Sequence, residues 1–506
     1  MLASVKSHGL TGILGFPVSV EVDISGGLPA YETVGLPDAA VRESRERVRS
    51  AMKNSGFDYP AAHITVSLAP ADMRKEGSVY DLPIAIALLT ASGQIPQEAV
   101  KDVCLIGELA LDGSVRPVTG VLPMLLDAYA NGCRVAAVPQ ENAQEAAYLE
   151  NMKILPVTSL SALCSHLKGE SVITPVPLRS WDKMALSYSS DFCEIRGQQG
   201  AKRAAEVAVA GGHNLLMVGT PGSGKTMLAR SIPSILPELT LEEALEVTKI
   251  HSVAGVLQGR GMVTERPFRT PHHGASAPAI VGGGTRAMPG EASLAHYGVL
   301  FLDELPEFQR DVLESLRQPL EDGTVTISRA AATVTYPADF MLVAAMNPCP
   351  CGNRGSRTNP CRCTATQIQR YQSRISGPLL DRIDIQVNMP EVGYTELSDR
   401  SAQETSAEIR ARVNAARDIQ RARFKDDGIH CNAQMSAALV RRYCTQDEAS
   451  EKLLQSAYKR LNLSARAYQR IMKVARTIAD LAGSENVLAE HYAEAIQYRS
   501  FDMSAL

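Results

Sequence analysis

The sequence has no strong excess of charge of either sign. Its 506 residues include 51 Lys and Arg against 55 Asp and Glu, which gives a net charge of -4. The composition therefore carries no global electrostatic footprint of a nucleic-acid partner, although a local basic channel stays open because net charge averages over all faces. Long apolar runs are also missing, and none reaches the length needed to span a bilayer. We expect no membrane attachment.

The N-terminus lacks the pattern of a secretion signal. Only Lys6 and His8 precede a glycine-interrupted segment, and no long apolar stretch follows them. Ten cysteines in a large chain without such a signal favour reduced thiols or metal ligands over disulfides. We therefore expect a cytoplasmic protein.

One stretch fits the phosphate-binding loop pattern G-x-x-x-x-G-K-[ST] at every fixed position. An apolar run, 214–218, precedes it as a predicted strand, and 227–230 follow as the first turn of a helix. Glycines let the backbone N–H groups of such a loop close around phosphate oxygens. Lys225 would reach the β- and γ-phosphates, and Thr226 would ligate Mg²⁺. The loop residues are Gly219, Thr220, Pro221, Gly222, Ser223, Gly224, Lys225 and Thr226.

Two carboxylates follow a predicted buried strand downstream of this loop. Residues 299–302 are apolar, and Asp303 and Glu304 come directly after them. Sheets of α/β proteins bind ligands at the carboxyl ends of their strands. Asp303 would hold Mg²⁺, mostly through water, and Glu304 would orient and activate the attacking water.

The length exceeds what one hydrophobic core fills and suggests about three domains. Residues 1–165 alternate strands and helices, and residues 166–190 are a predicted linker rich in proline and serine. A nucleotide-binding domain over 191–395 and a helical domain over 396–506 complete the predicted organisation.

The segment 107–128 resembles the Lon protease domain, which implies a small α+β fold for the first domain. Lon-type proteolysis needs a Ser nucleophile that a Lys amine activates. When residues 75–77 are aligned with the Lon nucleophile segment, Val79 falls at the position of the Ser and Leu122 at the position of the Lys. Ser78 is then the candidate nucleophile that remains. We expect a proteolytically inactive scaffold or ring-forming domain.

Three further segments resemble parts of AAA+ ATPases. Ile195 and Gln198 lie in a sequence similar to the I-x-G-Q segment that packs on the adenine base. Asn347 follows an apolar strand and matches the sensor-1 position, which contacts the γ-phosphate or the attacking water. A long insertion, 246–296, and a hairpin, 321–336, are similar to those of the branch that contains magnesium chelatase ATPase subunits and MCM-type helicases.

Longer motifs resemble the magnesium-chelatase-like ComM/YifB proteins over essentially the full chain. These motifs are NPCPCG, RTPHH, VGGG, PGEASLAHYGVLFLDE and SGPLLDRID. The resemblance implies an α/β fold with an AAA+ P-loop core and parallel sheet, preceded by the Lon-protease-like α+β domain and followed by a helical lid. It also implies a homo-hexameric, ATP- and Mg²⁺-dependent DNA helicase for branch migration in natural transformation or recombination, with recombination proteins as further expected partners.

The same resemblance assigns roles to arginines and to the pore. Arg382 matches the arginine finger, which stabilises charge on the γ-phosphate of a neighbouring subunit, and Arg374 is the alternative. Arg466 matches sensor 2 of the lid, and we expect Arg470 and Lys473 beside it to be solvated. The insertion and the hairpin would line the pore. Candidate DNA contacts there are Arg269, His272, His273, Arg286 and Arg329.

Four cysteines form the pattern C-x-C-x9-C-x-C, namely Cys349, Cys351, Cys361 and Cys363. Four thiolates in two paired arms can close a tetrahedral Zn²⁺ site. Free reduced thiols and two redox-formed bridges remain alternatives. We expect structural zinc.

Two other functions stay open at this point. A protein-remodelling or chelatase-like ATPase would act on a protein partner, because AAA+ pores also thread polypeptide. A Lon-like peptidase would depend on Ser78.

Overall fold

The computed structural model describes residues 1–181, 188, 190–257, 259, 261–284, 287–328, 333–356, 358–398, 403–461 and 463–499. Tertiary contacts divide the chain into two compact units. The first contains the described residues among 1–184, 240–264 and 330–336, and the second contains the described residues among 185–239, 265–329 and 337–506. Within the described ranges, every helix is too short or too polar to cross a membrane.

The first unit is built on one mixed sheet and two short strands. Its strands are β1 (Leu2–Thr11), β2 (Leu14–Ser25), β3 (Ala30–Val34), β4 (His63–Ala69), β5 (Val103–Leu105), β6 (Glu108–Leu109), β7 (Val115–Arg116), β8 (Val135–Pro139) and β9 (Lys153–Val157). Seven of them pair in the order β3-β4-β2-β1-β5-β8-β9. Strands β1, β2 and β4 largely alternate buried with exposed or partly exposed side chains, which is typical of strands with one face on the core.

Helices cover this sheet. They are α1 (Ala39–Asn54), α2 (Asp81–Ala91), α3 (Gln97–Val100), α4 (Val121–Ala130), α5 (Leu160–Leu167) and α8 (Leu241–Val253). Helix α2 is buried along its whole length, and it packs on β1 and β2. A helix that is apolar on all sides belongs in a core, so α2 is the centre of this unit.

The second unit is built on a five-stranded parallel sheet. Its strands are β10 (Leu215–Gly219), β11 (Phe268–Arg269), β12 (Val299–Leu302), β15 (Met341–Met346) and β16 (Ile385–Met389). They pair in the order β11-β12-β15-β10-β16, each parallel to its neighbour. Strands β10, β12 and β15 are wholly buried, as expected of a parallel sheet covered on both faces. The predicted α/β class with a parallel sheet is confirmed.

Many helices surround this sheet. They are α6 (Gln199–Gly211), α7 (Lys225–Ser231), α9 (Ala277–Val281), α10 (Glu291–Leu294), α11 (Arg310–Ser315), α12 (Arg317–Asp322), α13 (Ala365–Gln372), α14 (Gly377–Leu380), α15 (Tyr394–Ser398), α16 (Ser406–Arg423), α17 (Ala437–Tyr443), α18 (Glu448–Arg460), α19 (Ala465–Leu481) and α20 (Ala489–Gln497). The last five form the helical C-terminal region. Ser464 caps α19, since its side chain accepts a hydrogen bond from the Ala467 N–H.

The predicted insertion 246–296 is only partly a loop. Helix α8 continues through it to Val253, and β11 lies inside it as the edge strand of the parallel sheet. A strand of two residues, between Pro267 and Pro271, shows no periodicity that sequence reasoning could detect. The two strands of the predicted hairpin are present as β13 (Thr324–Ser328) and β14 (Thr333–Pro337).

The expectation that Arg470 and Lys473 are solvated is wrong. The Arg470 Nη1 donates to Asp384 Oδ1 at 2.6 Å, and Lys473 Nζ donates to the Ala433 carbonyl at 2.8 Å. Burial alone would raise the pKa of Asp384, but the charge of Arg470 and a hydrogen bond from His213 hold it well below its usual range. Burial lowers the pKa of His213, so Arg470 is the charged partner.

We expect Arg470→Leu to lower the free energy of unfolding by about 3–5 kcal/mol, because it leaves the buried Asp384 carboxylate without its cation. Denaturant unfolding of the full chain, followed in the transition of the second unit, measures this loss. The control Arg460→Leu removes an exposed arginine at the end of α18 and should change stability by less than about 0.5 kcal/mol. Equal losses in the two variants would contradict the assigned ion pair.

Candidate active site

Strand β10 leads directly into the predicted phosphate loop. Gly222 and Gly224 have φ angles of 80° and 90°, a left-handed region that favours glycine. Helix α7 then begins at Lys225. The sequence therefore folds here as strand, glycine-rich turn and helix, the context in which this motif binds phosphate.

The loop has polar groups that fit the phosphates of a nucleotide. The hydroxyls of Thr220 and Ser223 are buried and have no hydrogen-bond partner among the described residues. Lys225 Nζ donates to the Gly219 and Thr220 carbonyls at 2.7 and 2.9 Å. Burial lowers the pKa of Lys225, while the nearby Asp303 raises it. Buried hydroxyls without partners and a desolvated ammonium suit an anionic ligand.

The two predicted Mg²⁺ ligands lie together. Thr226 Oγ1 donates to Asp303 Oδ2 at 2.8 Å, although the two residues lie in different segments of the chain. Asp303 Oδ1 accepts a hydrogen bond from the Glu304 N–H at 2.9 Å, which fixes the carboxylate at the end of β12. A hydroxyl and a carboxylate are ligands that suit Mg²⁺, so the pair could hold the ion of a metal–nucleotide complex.

The candidate catalytic Glu304 has an unusual backbone. Its φ is 54°, a left-handed conformation that is uncommon outside glycine, and its side chain is 56% exposed. Its Oε2 lies 3.5 Å from Nδ1 of His273, which follows β11. His273 in turn stacks with His272, with ring centroids 4.1 Å apart. The carboxylate is therefore accessible to water and is contacted by a histidine from the loop that follows β11.

Asn347 and Gln198 are also placed at the phosphate loop. Asn347 Oδ1 accepts a hydrogen bond from Lys225 Nζ at 3.2 Å, which brings the predicted sensor next to the predicted phosphate ligand. Gln198 Nε2 donates to the Ser223 carbonyl at 3.1 Å and to the Pro390 carbonyl at 2.6 Å. Ile195 is buried in the core beside it. The contact of Ile195 and Gln198 with the adenine stays a prediction.

The predicted arginine finger is engaged within its own chain. The guanidinium of Arg382 forms an ion pair with Glu321 and donates to the Pro378 carbonyl at 2.9 Å. The alternative, Arg374, pairs with Glu307 at 2.8 Å and has a half-exposed side chain. Arg466 is exposed and its charge lowers the pKa of Glu321, after the larger effect of Arg382. Which arginine acts across a subunit boundary stays a prediction.

The three described candidate DNA contacts have different surroundings. Arg269 lies in β11 rather than in a loop, and its guanidinium pairs with Glu291 at 2.6 and 2.8 Å. That pairing disfavours a contact with DNA. His272 is exposed and His273 faces Glu304, which sequence reasoning missed. The remaining two candidates, Arg286 and Arg329, lie outside the described residues.

Ser78, the candidate nucleophile of the first unit, is hydrogen-bonded to a carboxylate rather than to a lysine. Ser78 Oγ donates to a carboxylate oxygen of Glu108. Lys75 Nζ donates instead to backbone carbonyls, including that of Met73 at 2.8 Å. Burial lowers the pKa of Lys75. These bonds do not build the Ser–Lys pair of a Lon-type site, and the lack of peptidase activity stays a prediction.

The four predicted zinc ligands converge. Cys349, Cys351 and Cys361 have Sγ···Sγ distances of 3.4, 3.6 and 3.7 Å, and with Cys363 all four sulfurs lie within 4.8 Å of one another. All ten cysteines are free thiols, so the two-bridge alternative is not present. A tetrahedral zinc with Zn–S bonds of about 2.3 Å needs sulfur separations of ~3.8 Å, which matches this cage.

The thiols differ in acidity. Backbone hydrogen bonds from Asn353 and Arg362 lower the pKa of Cys351 to about 6, so this residue supplies a thiolate at neutral pH. Burial raises the pKa of Cys349 to about 12, and this thiol would lose its proton to a bound metal. The donor set fits a soft divalent cation such as Zn²⁺.

Known proteins match the chain over its whole length. The family profile described as "Magnesium chelatase, subunit ChlI" matches residues 191–397. "Subunit ChlI of Mg-chelatase" matches 20–142, and "Magnesium chelatase, subunit ChlI C-terminal" matches 403–499. Two curated relatives are 44% identical and align over 99% of this chain and 97% of their own lengths: "Uncharacterized protein YifB" of Escherichia coli and "Competence protein ComM" of Haemophilus influenzae. The magnesium-chelatase 67 kDa subunit of Chlorobaculum tepidum is 30% identical over 31% of this chain and 23% of its own.

We expect protein purified under reducing conditions to contain about one zinc ion per chain, because the cage has one set of four thiolates. Elemental analysis measures the content. Cys351→Ser and Cys361→Ser should each lose the metal, whereas Cys193→Ser, a partly exposed cysteine outside the cage, should retain it. Wild-type protein with a metal content far below one per chain would contradict the site.

Proposed function

Because the chain belongs to the magnesium-chelatase-like ComM/YifB family, we propose that it is an ATP-dependent DNA motor, a cytoplasmic homo-hexamer that moves branched or single-stranded DNA during recombination or competence. The observation that carries the ATPase part is the Thr226–Asp303 hydrogen bond beside Lys225, since it joins the phosphate loop to the acidic strand end. The printed name of the Haemophilus relative, a competence protein, supports the DNA part.

The residues divide the work of hydrolysis. Lys225 binds the terminal phosphates, and the backbone of the loop surrounds them. A Mg²⁺ ion held by Thr226 and Asp303 would neutralise charge on the phosphates. Glu304 orients the attacking water. Asn347 accepts a hydrogen bond from the Lys225 ammonium and so holds that ammonium in position. Orienting water serves the transition state more than substrate binding, so Glu304 governs turnover.

A protein-remodelling or chelatase-like ATPase is the second candidate. The matched profiles, which are those of a magnesium chelatase subunit, favour it. The same nucleotide site serves either function, because a ring motor can thread polypeptide as well as DNA. The two candidates differ in which polymer stimulates hydrolysis.

We expect forked DNA to stimulate ATP hydrolysis by the wild type and to be unwound or branch-migrated in an ATP-dependent assay. Unfolded casein should not stimulate it. DNA affinity should fall steeply with salt, since basic groups bind phosphates without sequence preference. Glu304→Gln should still bind a fluorescent ATP analogue but hydrolyse ATP at least about 100-fold more slowly, as for loss of a general base. Stimulation by casein and not by DNA would replace the DNA motor with the remodelling ATPase.

His273 should restrain hydrolysis when no DNA is bound. Its Nδ1 lies 3.5 Å from Oε2 of Glu304. His273 belongs to the insertion 246–296, which we expect to line the pore. We expect His273→Ala to raise the DNA-free ATPase rate several-fold and to reduce the further stimulation by DNA, because the imidazole then no longer holds the Glu304 carboxylate away from the position in which it orients water. Steady-state ATPase assays with and without forked DNA measure both effects.

The control for this prediction is His430→Ala, an exposed histidine of the C-terminal region. It should leave both rates unchanged. A His273→Ala variant with a normal DNA-free rate and normal stimulation would show that the contact with Glu304 has no regulatory effect.

A further inference from the structure

We propose that the cysteine knuckle, residues 349–363, braces the phosphate loop, so that nucleotide affinity depends on the metal in the knuckle. The proposal rests on the zinc assignment above and extends it from a structural role to the positioning of the nucleotide site. Two contacts carry it, one through Asn347 and one through Gly352. Asn347 lies two residues before the knuckle, and Gly352 lies within it.

The first contact depends on the closeness of Asn347 and Cys349 in the sequence. Strand β15 ends at Met346, Asn347 comes next, and the buried ligand Cys349 lies two residues further on. Asn347 Oδ1 accepts a hydrogen bond from Lys225 Nζ at 3.2 Å. Fixing Cys349 to a metal therefore restrains the backbone that presents this oxygen to Lys225.

The second contact is steric. Gly352 follows the ligand Cys351 with a φ of 79°, and a Cβ added to it would lie 2.7 and 2.8 Å from Cγ and Cδ of Pro221. Pro221 is in the phosphate loop, and its ring is fused to the backbone, so it cannot swing aside as a flexible side chain could. The knuckle backbone therefore lies directly on the loop, and only glycine leaves room for this approach.

The knuckle has few other means of holding its shape. Between Met346 and Ala365 the described residues form no helix or strand, and about half of them are exposed. A short, partly exposed segment without a core of its own gains its fold from metal binding. Loss of the metal would thus release both contacts, and the phosphate loop would lose the surface against which it rests.

Two glycine variants distinguish the effect of the contact with Pro221 from the effect of backbone strain. Gly352 and Gly355 have φ angles of 79° and 82°, but a Cβ at Gly355 meets nothing within 4 Å. Alanine at either position costs a similar backbone strain, and only Gly352→Ala also pushes on Pro221. We expect Gly352→Ala to retain zinc and to bind a fluorescent ADP analogue about tenfold more weakly. Gly355→Ala should retain both zinc and wild-type affinity.

Removal of the metal from the full-length protein completes the test. Chelator-stripped wild type, checked for retained helix content by circular dichroism, should lose nucleotide affinity, and added Zn²⁺ should restore it. Adding Pro221→Gly to Gly352→Ala should recover part of the lost affinity by removing the clash. The proposal is overturned if Gly352→Ala binds nucleotide like the wild type, if stripped protein binds it equally well, or if purified protein holds no metal. These readouts do not involve DNA, so failure of the DNA motor would be seen separately.

Discussion

The parallel pairing of five strands is the constraint on which the candidate active site depends. Parallel strands end at the same edge of a sheet, so Gly219, Asp303 and Asn347 come together although they are far apart in the chain. Strands β10, β12 and β15 are buried on both faces, which fixes their packing. The Thr226–Asp303 and Lys225–Asn347 hydrogen bonds then need only short loops to form.

The opposite edge of the sheet is fixed by a polar side chain. Asn214, just before β10, accepts a hydrogen bond from the Leu342 N–H and donates one to the Arg382 carbonyl, both at 2.8 Å. Asp384 joins the same place to α19 through Arg470. The backbone of Arg382 is thus held by the sheet and by the C-terminal helices. A trans-acting Arg382 would have to release Glu321, whose side chain is 59% exposed and free to turn toward solvent.

Motifs of fixed spacing predict the candidate nucleotide site, whereas contacts between distant segments cannot be predicted from the sequence. The phosphate loop and the acid pair were found because each role demands particular residues at particular positions. Strand β11 could not be predicted because two residues are too few to show a strand periodicity. The contact of His273 with Glu304 depends on that strand and therefore could not be predicted either. Arg470 and Lys473 were misjudged because helical periodicity identifies a polar face but not its partner. Cysteine spacing suggested a cage, but only the fold shows that Gly352 lies on Pro221.

The electrostatics of Lys225 explain why such a brace would matter. Its ammonium is buried, and the three oxygens that accept its hydrogen bonds are neutral: two carbonyls and the Asn347 amide. A cation surrounded in this way is poorly compensated until an anion arrives, and burial lowers its pKa accordingly. Donors held in place before binding add to affinity because they cost no reorganisation. A loop that holds a buried and only partly compensated charge must resist relaxing around it. In the proposed brace, Asn347 just before the knuckle and Gly352 within it would supply that resistance.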